Sequence, residues 1–160
     1  GTLDAAVLSE PTRLSRNLDW KPFVREELVL LASPEVEEDD PFEILAQKPY
    51  IRHTRQASVG MLAEEWLSDN KVTVHDAMEM GSLENLASMI AHDLGVSIGP
   101  NICVPDPIFE GLRKIPLGPT ATARTLGILT RTDCSKIRLV QRLFDQIHGT
   151  IEDNHPGRAL

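Results

Sequence analysis

Apolar positions along the chain fall into two kinds of run, and the two alternate. Leu3–Leu8, Trp20–Arg25, Leu28–Ala32 and Pro49–His53 are short, β-branched or leucine-rich segments bounded by polar and proline-containing stretches, which predicts strands. Leu28–Ala32 (LVLLA) is apolar at every position, the pattern of a strand covered on both faces. Between such runs the spacing changes to three and four. Val59, Leu62, Ala63, Trp66 and Leu67 share one helical face, as do Leu83, Leu86, Ala87, Ile90, Ala91 and Leu94, and later Ile137, Val140, Phe144 and Ile147.

Punctuation residues sharpen these limits. Asp40-Pro41 reads as an N-cap followed by proline at the first helical position, opening a helix through Gln47. Ser58, Ser82 and Ser135 are the predicted caps of the three longer helices, with Gly95 and Gly149 as the stops of the second and third. Asp106-Pro107 repeats the cap-plus-proline signal for a one- or two-turn helix ending at Gly111. Val72–Met80, Val96–Ile98, Ile102–Val104, Leu112–Leu117 and Thr125–Thr130 complete the predicted strands, and Thr150–Leu160 reads as a polar, frayed tail. Strict alternation from Asp40 to Val104 predicts a three-layer α/β arrangement with a largely parallel sheet. Extended crossings near 30–34 and near 112 carry no helix between strands, as needed if the chain leaves one lobe, completes a second and returns.

Charge narrows the function. Twenty-four acidic against sixteen basic residues give a formal charge of −8, so phosphate backbones repel this chain and it does not grip DNA or RNA by itself. No apolar run approaches the roughly 18–20 residues of a membrane span, and no secretion signal is visible at the N-terminus. Cys103 and Cys134 read as two reduced thiols. The five histidines (53, 75, 92, 148 and 155) lack metal-ligand spacing, so neither a metal nor a cofactor is expected.

The segments GTLDAAVL, WKPFVREELVLLASP, PYIRHT, MGSLENLASMIAHDLGVSIGP and LRKIPLGP…RTLGILTR, followed by an amphipathic helix, resemble in that order the effector-binding domain of bacterial LysR-type transcriptional regulators, over residues 1–149. The resemblance implies a periplasmic-binding-protein-like (type II) α/β fold of two three-layer lobes. Lobe I would combine residues 1–32 with 112–149, lobe II would span 34–110, and 150–160 would be a flexible tail. Family members carry a further β-α-β-α stretch ahead of the LDAAV strand, so the resemblance implies an incomplete first lobe. It further implies a cytoplasmic, non-enzymatic sensor that binds a small, anionic metabolite in an interlobe cleft and thereby changes the geometry of a DNA-bound oligomer. Assembly would be a homodimer or homotetramer of the intact protein, and DNA would be met only through an N-terminal winged helix-turn-helix domain absent from this sequence.

Two predicted helix starts then become candidate anion sites, because helices that follow parallel strands begin at the carboxyl edge of the sheet with unpaired N–H groups. Thr54, Arg55, Gln56 and Ser58 lie on the first loop, and Gly81 and Ser82 on the second. Gly99 and Pro100 resemble the strand end that lines the far wall in relatives, and Ser9 would come from the first-lobe rim. Plainer readings stand beside these. Capping alone explains Ser58 and Ser82, solvation explains Arg55, a turn explains Pro100, and Arg52 on its strand suits a buried structural partner as well as a ligand contact. An enzyme or a secreted solute-binding protein of the same fold are the rivals, although no carboxylate pair or Cys–His pair is placed together by the sequence.

Overall fold

A computed structural model describes residues 3–102, 107–155 and 157–160. The elements are, in chain order, β1 (Ala5–Ser9), β2 (Leu18–Ala32), α1 (Pro41–Gln47), β3 (Pro49–His53), α2 (Ser58–Asp69), β4 (His75–Met80), α3 (Leu83–Ala91), β5 (Ser97–Pro100), β6 (Arg113–Pro116), β7 (Ala123–Arg131) and α4 (Ile137–Asn154). They form two compact units, residues 1–26 with 124–160 and residues 27–123. The chain therefore divides at Glu26/Glu27 and Ala123/Arg124, within or at the start of continuous strands, and not at the loops near 33 and 111. The runs Trp20–Arg25 and Leu28–Ala32 are one fifteen-residue strand, β2.

In the second unit the alternation of LVLLA carries the core. Leu28, Leu30 and Ala32 pack with Ile44, Leu45, Val59, Ala63, Trp66 and Leu67, on the face covered by α1 and α2. Val29 and Leu31 point to the opposite face, with Ile51, Leu86, Ala87, Ile90 and Phe109 under α3. That is the doubly covered sheet expected of a continuously apolar strand. β3 and β4 pair in parallel from Pro49↔His75 to His53↔Met80, with a register shift between Tyr50 and Ile51. A parallel bridge, Tyr50↔Val96, joins β3 to the residue just before β5. β5 and β6 flank β2, both antiparallel. Parallel pairing thus joins β4, β3 and Val96, whereas β5 and β6 meet β2 antiparallel.

In the first unit β1 pairs antiparallel with β7, from Ala5↔Thr130 to Ser9↔Leu126, and β7 neighbours β2. α4 lies over the first part of β2, where the Lys21 ammonium sits 3.6 Å from the centroid of the Phe144 ring. Phe144 and Ile151 are the buried residues of α4, whereas Ile137, expected to face inward, is 51% exposed. A buried ion pair, Glu26 with Arg124, closes this unit at 2.6 Å.

Several caps differ from the predicted ones. Asp40 caps α1, accepting from the Phe42 N–H at 2.8 Å. Ser82 caps α3, accepting from Asn85 N–H at 3.2 Å. The N-cap of α2, however, is Ala57, and that of α4 is Lys136, so Ser58 and Ser135 are not caps. The left-handed residue after α3 is Asp93 (φ 52°), not Gly95. Gly95 is needed for a different reason: a Cβ there would lie 2.5 Å from the Pro49 carbonyl oxygen. α4 runs past Gly149 to Asn154, and the following residues return to β2, with Ala159 bridging Val24. The expected frayed tail is therefore helix and strand partner. Residues 107–112 form turns and not a helix; the expected cap Asp106 and the expected strand residues Cys103 and Val104 lie outside the described residues.

Candidate functional site

β3, β4 and β5 run in one direction, so their carboxyl ends, His53, Met80 and Pro100, lie at one edge of the second unit's sheet. The loop after β3 is tied to the end of β4 by Thr54 N–H, which donates to the Met80 carbonyl at 2.9 Å. Thr54 also shapes the loop itself: its carbonyl accepts from Ala57 N–H at 3.1 Å and its hydroxyl from Gln56 N–H at 3.5 Å. Topology thus brings Thr54, Arg55, Gln56, Ser58, Gly81, Ser82, Gly99 and Pro100 to a common rim. Gly99 and Pro100 are buried within the sheet, where Gly99 lies against Leu31. Ser9, the last residue of β1, belongs to the other unit and is paired there with Leu126.

The two helix starts on this rim differ chemically. At α3, Ser82 uses its hydroxyl twice, accepting from Asn85 N–H and donating to the Glu84 carboxylate at 2.9 Å. Glu84 stands in the first turn, and its pKa is lowered, first by a hydrogen bond from its own backbone N–H and then by the Ser82 hydroxyl. An internal carboxylate therefore already occupies the positive end of α3. At α2 the cap is an alanine, which makes no side-chain cap hydrogen bond, and no acid stands in the first turn. Gly60 lets this turn press against the loop, for a Cβ there would meet the Thr54 carbonyl oxygen at 2.1 Å and that of His53 at 2.8 Å.

Beside α2 lies a charge network that sequence reasoning reached only through its two arginines, Arg52 and Arg55. Its guanidinium, buried on β3, gives Nη2 and Nε to one oxygen of Asp76 on β4, at 2.6 and 3.1 Å. Its Nη1 pairs with Glu64 of α2, and the other Glu64 oxygen pairs with Arg55 at 3.2 Å. The Tyr50 ring lies 5.4 Å from the Arg52 guanidinium carbon, and burial pushes the Tyr50 hydroxyl up to about 12, so it stays neutral at physiological pH. Arg52 thus acts as a structural cation with two carboxylate partners, whereas Arg55 is exposed and has one. Glu64 and Asp76 sit twelve and twenty-four residues from Arg52, beyond any helical or strand repeat, so no local pattern marks them. Glu84 did have a signal, an acid two residues after a predicted serine cap.

A groove of about 440 Å³ runs along α3, lined by Glu84, Ala87, Ala91, Ile108, Glu110 and Leu112. Apolar walls with two carboxylates do not suit an anion. Among the described residues no group of three His, Cys, Asp or Glu is arranged to hold a metal, and no helix is long and apolar enough to cross a membrane.

Known proteins agree with this architecture. The regulatory domain of CcmR from Synechocystis PCC6803, in complex with 2-PG, superposes with a TM-score of 0.73 at 18% identity, over 94% of this chain and 74% of that one. The effector binding domain of QuiR, in complex with shikimate, gives 0.70 at 14% identity, over 95% and 73%. Full-length OxyR from Pseudomonas aeruginosa gives 0.71 at 24% identity, over 91% of this chain and 48% of that one. In sequence, 57 residues are 37% identical to YraN of Bacillus subtilis (strain 168), an uncharacterized HTH-type transcriptional regulator, covering 35% of this chain but only 20% of that protein. The profile of the LysR substrate binding domain matches residues 1–151, and the chain belongs to that family.

Proposed function

We propose that this chain is the sensing part of a LysR-type transcriptional regulator and that it recognises a small anionic metabolite at the start of α2. The observation that carries this reading is the contrast on the rim: α3 holds its own carboxylate, while α2 offers first-turn N–H groups without a side-chain cap, next to the exposed Arg55. Backbone donors, the helix dipole and a guanidinium together favour a carboxylate or phosphate. Ligands of the size of 2-PG and shikimate, held by the CcmR and QuiR domains, are the natural candidates. The role is one of binding and not of catalysis, as the family suggests. In this reading the protein works in the cytoplasm as a homodimer or homotetramer, and meets DNA through a part outside residues 1–160. The effector acts by population shift, binding one arrangement of the oligomer more tightly than another.

Calorimetric titration of the chain with shikimate and with 2-PG tests the site. Replacing Arg55→Gln should weaken the bound anion about tenfold or more, the loss of one charged hydrogen bond, while Ser82→Ala should change it less than about twofold. Equal affinities for all three proteins would remove α2 from the site. For the whole regulator, a saturating effector that leaves the operator footprint unchanged would end the switch model.

A further inference from the structure

Glu64 faces two guanidiniums in different surroundings. Towards Arg52 it meets a side chain that is only 10% exposed and is also held by Asp76; towards Arg55 it meets one that is 62% exposed. An exposed ion pair is weak and exchanges readily, whereas a buried one resists separation because it would leave a charge without a partner. The two halves of the Glu64 contact are therefore unequal. If Arg55 moves to another anion, Glu64 still has Arg52 as a partner, which it then shares with Asp76. Arg55 in turn stands on the loop that leads into α2, two residues before its cap.

We propose that Glu64 is a resident counter-ion for Arg55, released when an anionic effector takes that guanidinium, while Arg52 keeps Glu64 in place. This rests on the reading that the start of α2 receives an anion, and it adds a selection rule. The effector must outcompete a carboxylate for Arg55, and Glu64 sets the threshold. Glu64 is a regulator of the site and touches no effector atom.

The test is a set of dissociation constants for inorganic phosphate and for shikimate, read from amide shifts of the full chain and from the side-chain N–H signal of Arg55. Glu64→Gln should tighten both about two- to fivefold, the fold-change equivalent to releasing one exposed pair. Glu65→Gln, which removes an equal charge from the next, exposed position, should tighten them less. In an Arg55→Gln background Glu64→Gln should add nothing, because the counter-ion then has nothing to release. Glu64→Asp keeps the charge but shortens the reach needed to span both guanidiniums. It should also tighten binding, and it serves if Glu64→Gln unfolds in urea controls. The inference is overturned if neither Glu64 variant tightens binding, or if the gain persists without Arg55. If phosphate and shikimate shift no signal in the unsubstituted protein or in any variant, the anion site itself is wrong and the inference falls with it. If they bind and only Arg55→Gln matters, the site stands and the counter-ion is refuted.

Discussion

α2 and α3 begin at the same edge of the same sheet, each directly after a parallel strand, yet their first turns have been finished in opposite ways. The chain closes α3 from within: Ser82 caps it, Glu84 neutralises its positive end, and Gly81 stands in open space with nothing within 4 Å of a would-be Cβ. It starts α2 on an alanine cap with no acid in the first turn, seats it against the preceding loop through Gly60, and sets an arginine beside it. Two helix starts with the same dipole therefore present different surroundings to an external anion. What distinguishes them is whether the protein supplies its own anion.

The glycines should separate the two regions most strongly. Gly→Ala in a helix ordinarily stabilises by about 1 kcal/mol through propensity. At Gly60 the new Cβ meets backbone carbonyl atoms of His53 and Thr54, which cannot swing aside as a side-chain tip would. Gly60→Ala should therefore destabilise by about 1–3 kcal/mol, the range of overpacking changes, and lower the midpoint by roughly 2–4 °C per kcal/mol. Gly81→Ala should stay within about 0.5 kcal/mol of the parent. Urea denaturation of both proteins checks this, and a neutral Gly60→Ala would mean that α2 does not press on its loop.

The serines come next. Ser82→Ala removes a cap and should cost about 1 kcal/mol. Ser58→Ala, at the first helical position and not at the cap, should cost less than about 0.5 kcal/mol. If the two costs prove equal in chemical denaturation, both serines serve their helices alike and the contrast between the starts loses its basis.

The same residues show what could be read from the sequence. The layer order and the doubly covered strand were legible because LVLLA and the three- and four-spaced apolar stripes are local patterns fixed by burial. The rim was legible because strand-then-helix order decides which edge of the sheet a loop occupies. Ser58 and Ser135 misled because a capping residue is recognised by type, while the cap itself is set by where backbone dihedrals turn helical, one residue earlier in α2 and one later in α4. Gly95 and Gly149 misled similarly, since Asp93 adopted the left-handed turn and α4 gained burial at Ile151 by continuing. Glu64 and Asp76 were out of reach, for their meeting with Arg52 depends on the register of β3 with β4 and on how α2 lies over it. Long-range pairing of that kind has no period.

The smallest effect probes the anion that α3 supplies for itself. Glu84 has its pKa held below the ordinary 4.5 by hydrogen bonds that favour the charged form. Folding therefore gains from the Glu84 charge above about pH 4.5, and that gain is lost as pH falls through the lowered folded value. An NMR acid titration should show the Glu84 carboxyl carbon moving below pH 4.5, with the amide signals of Glu84 and Asn85 following it as the hydrogen bonds from the first turn and Ser82 weaken. The Gly60 amide, in a first turn without an acid, should not follow the same curve. Glu84→Gln should abolish the transition at Asn85 while leaving Gly60 as it was. A Glu84 carboxyl that titrates at or above 4.5 would mean its charge is not engaged by the helix end. α3 would then be as open to an external anion as α2, and the reason for preferring one start over the other would be gone.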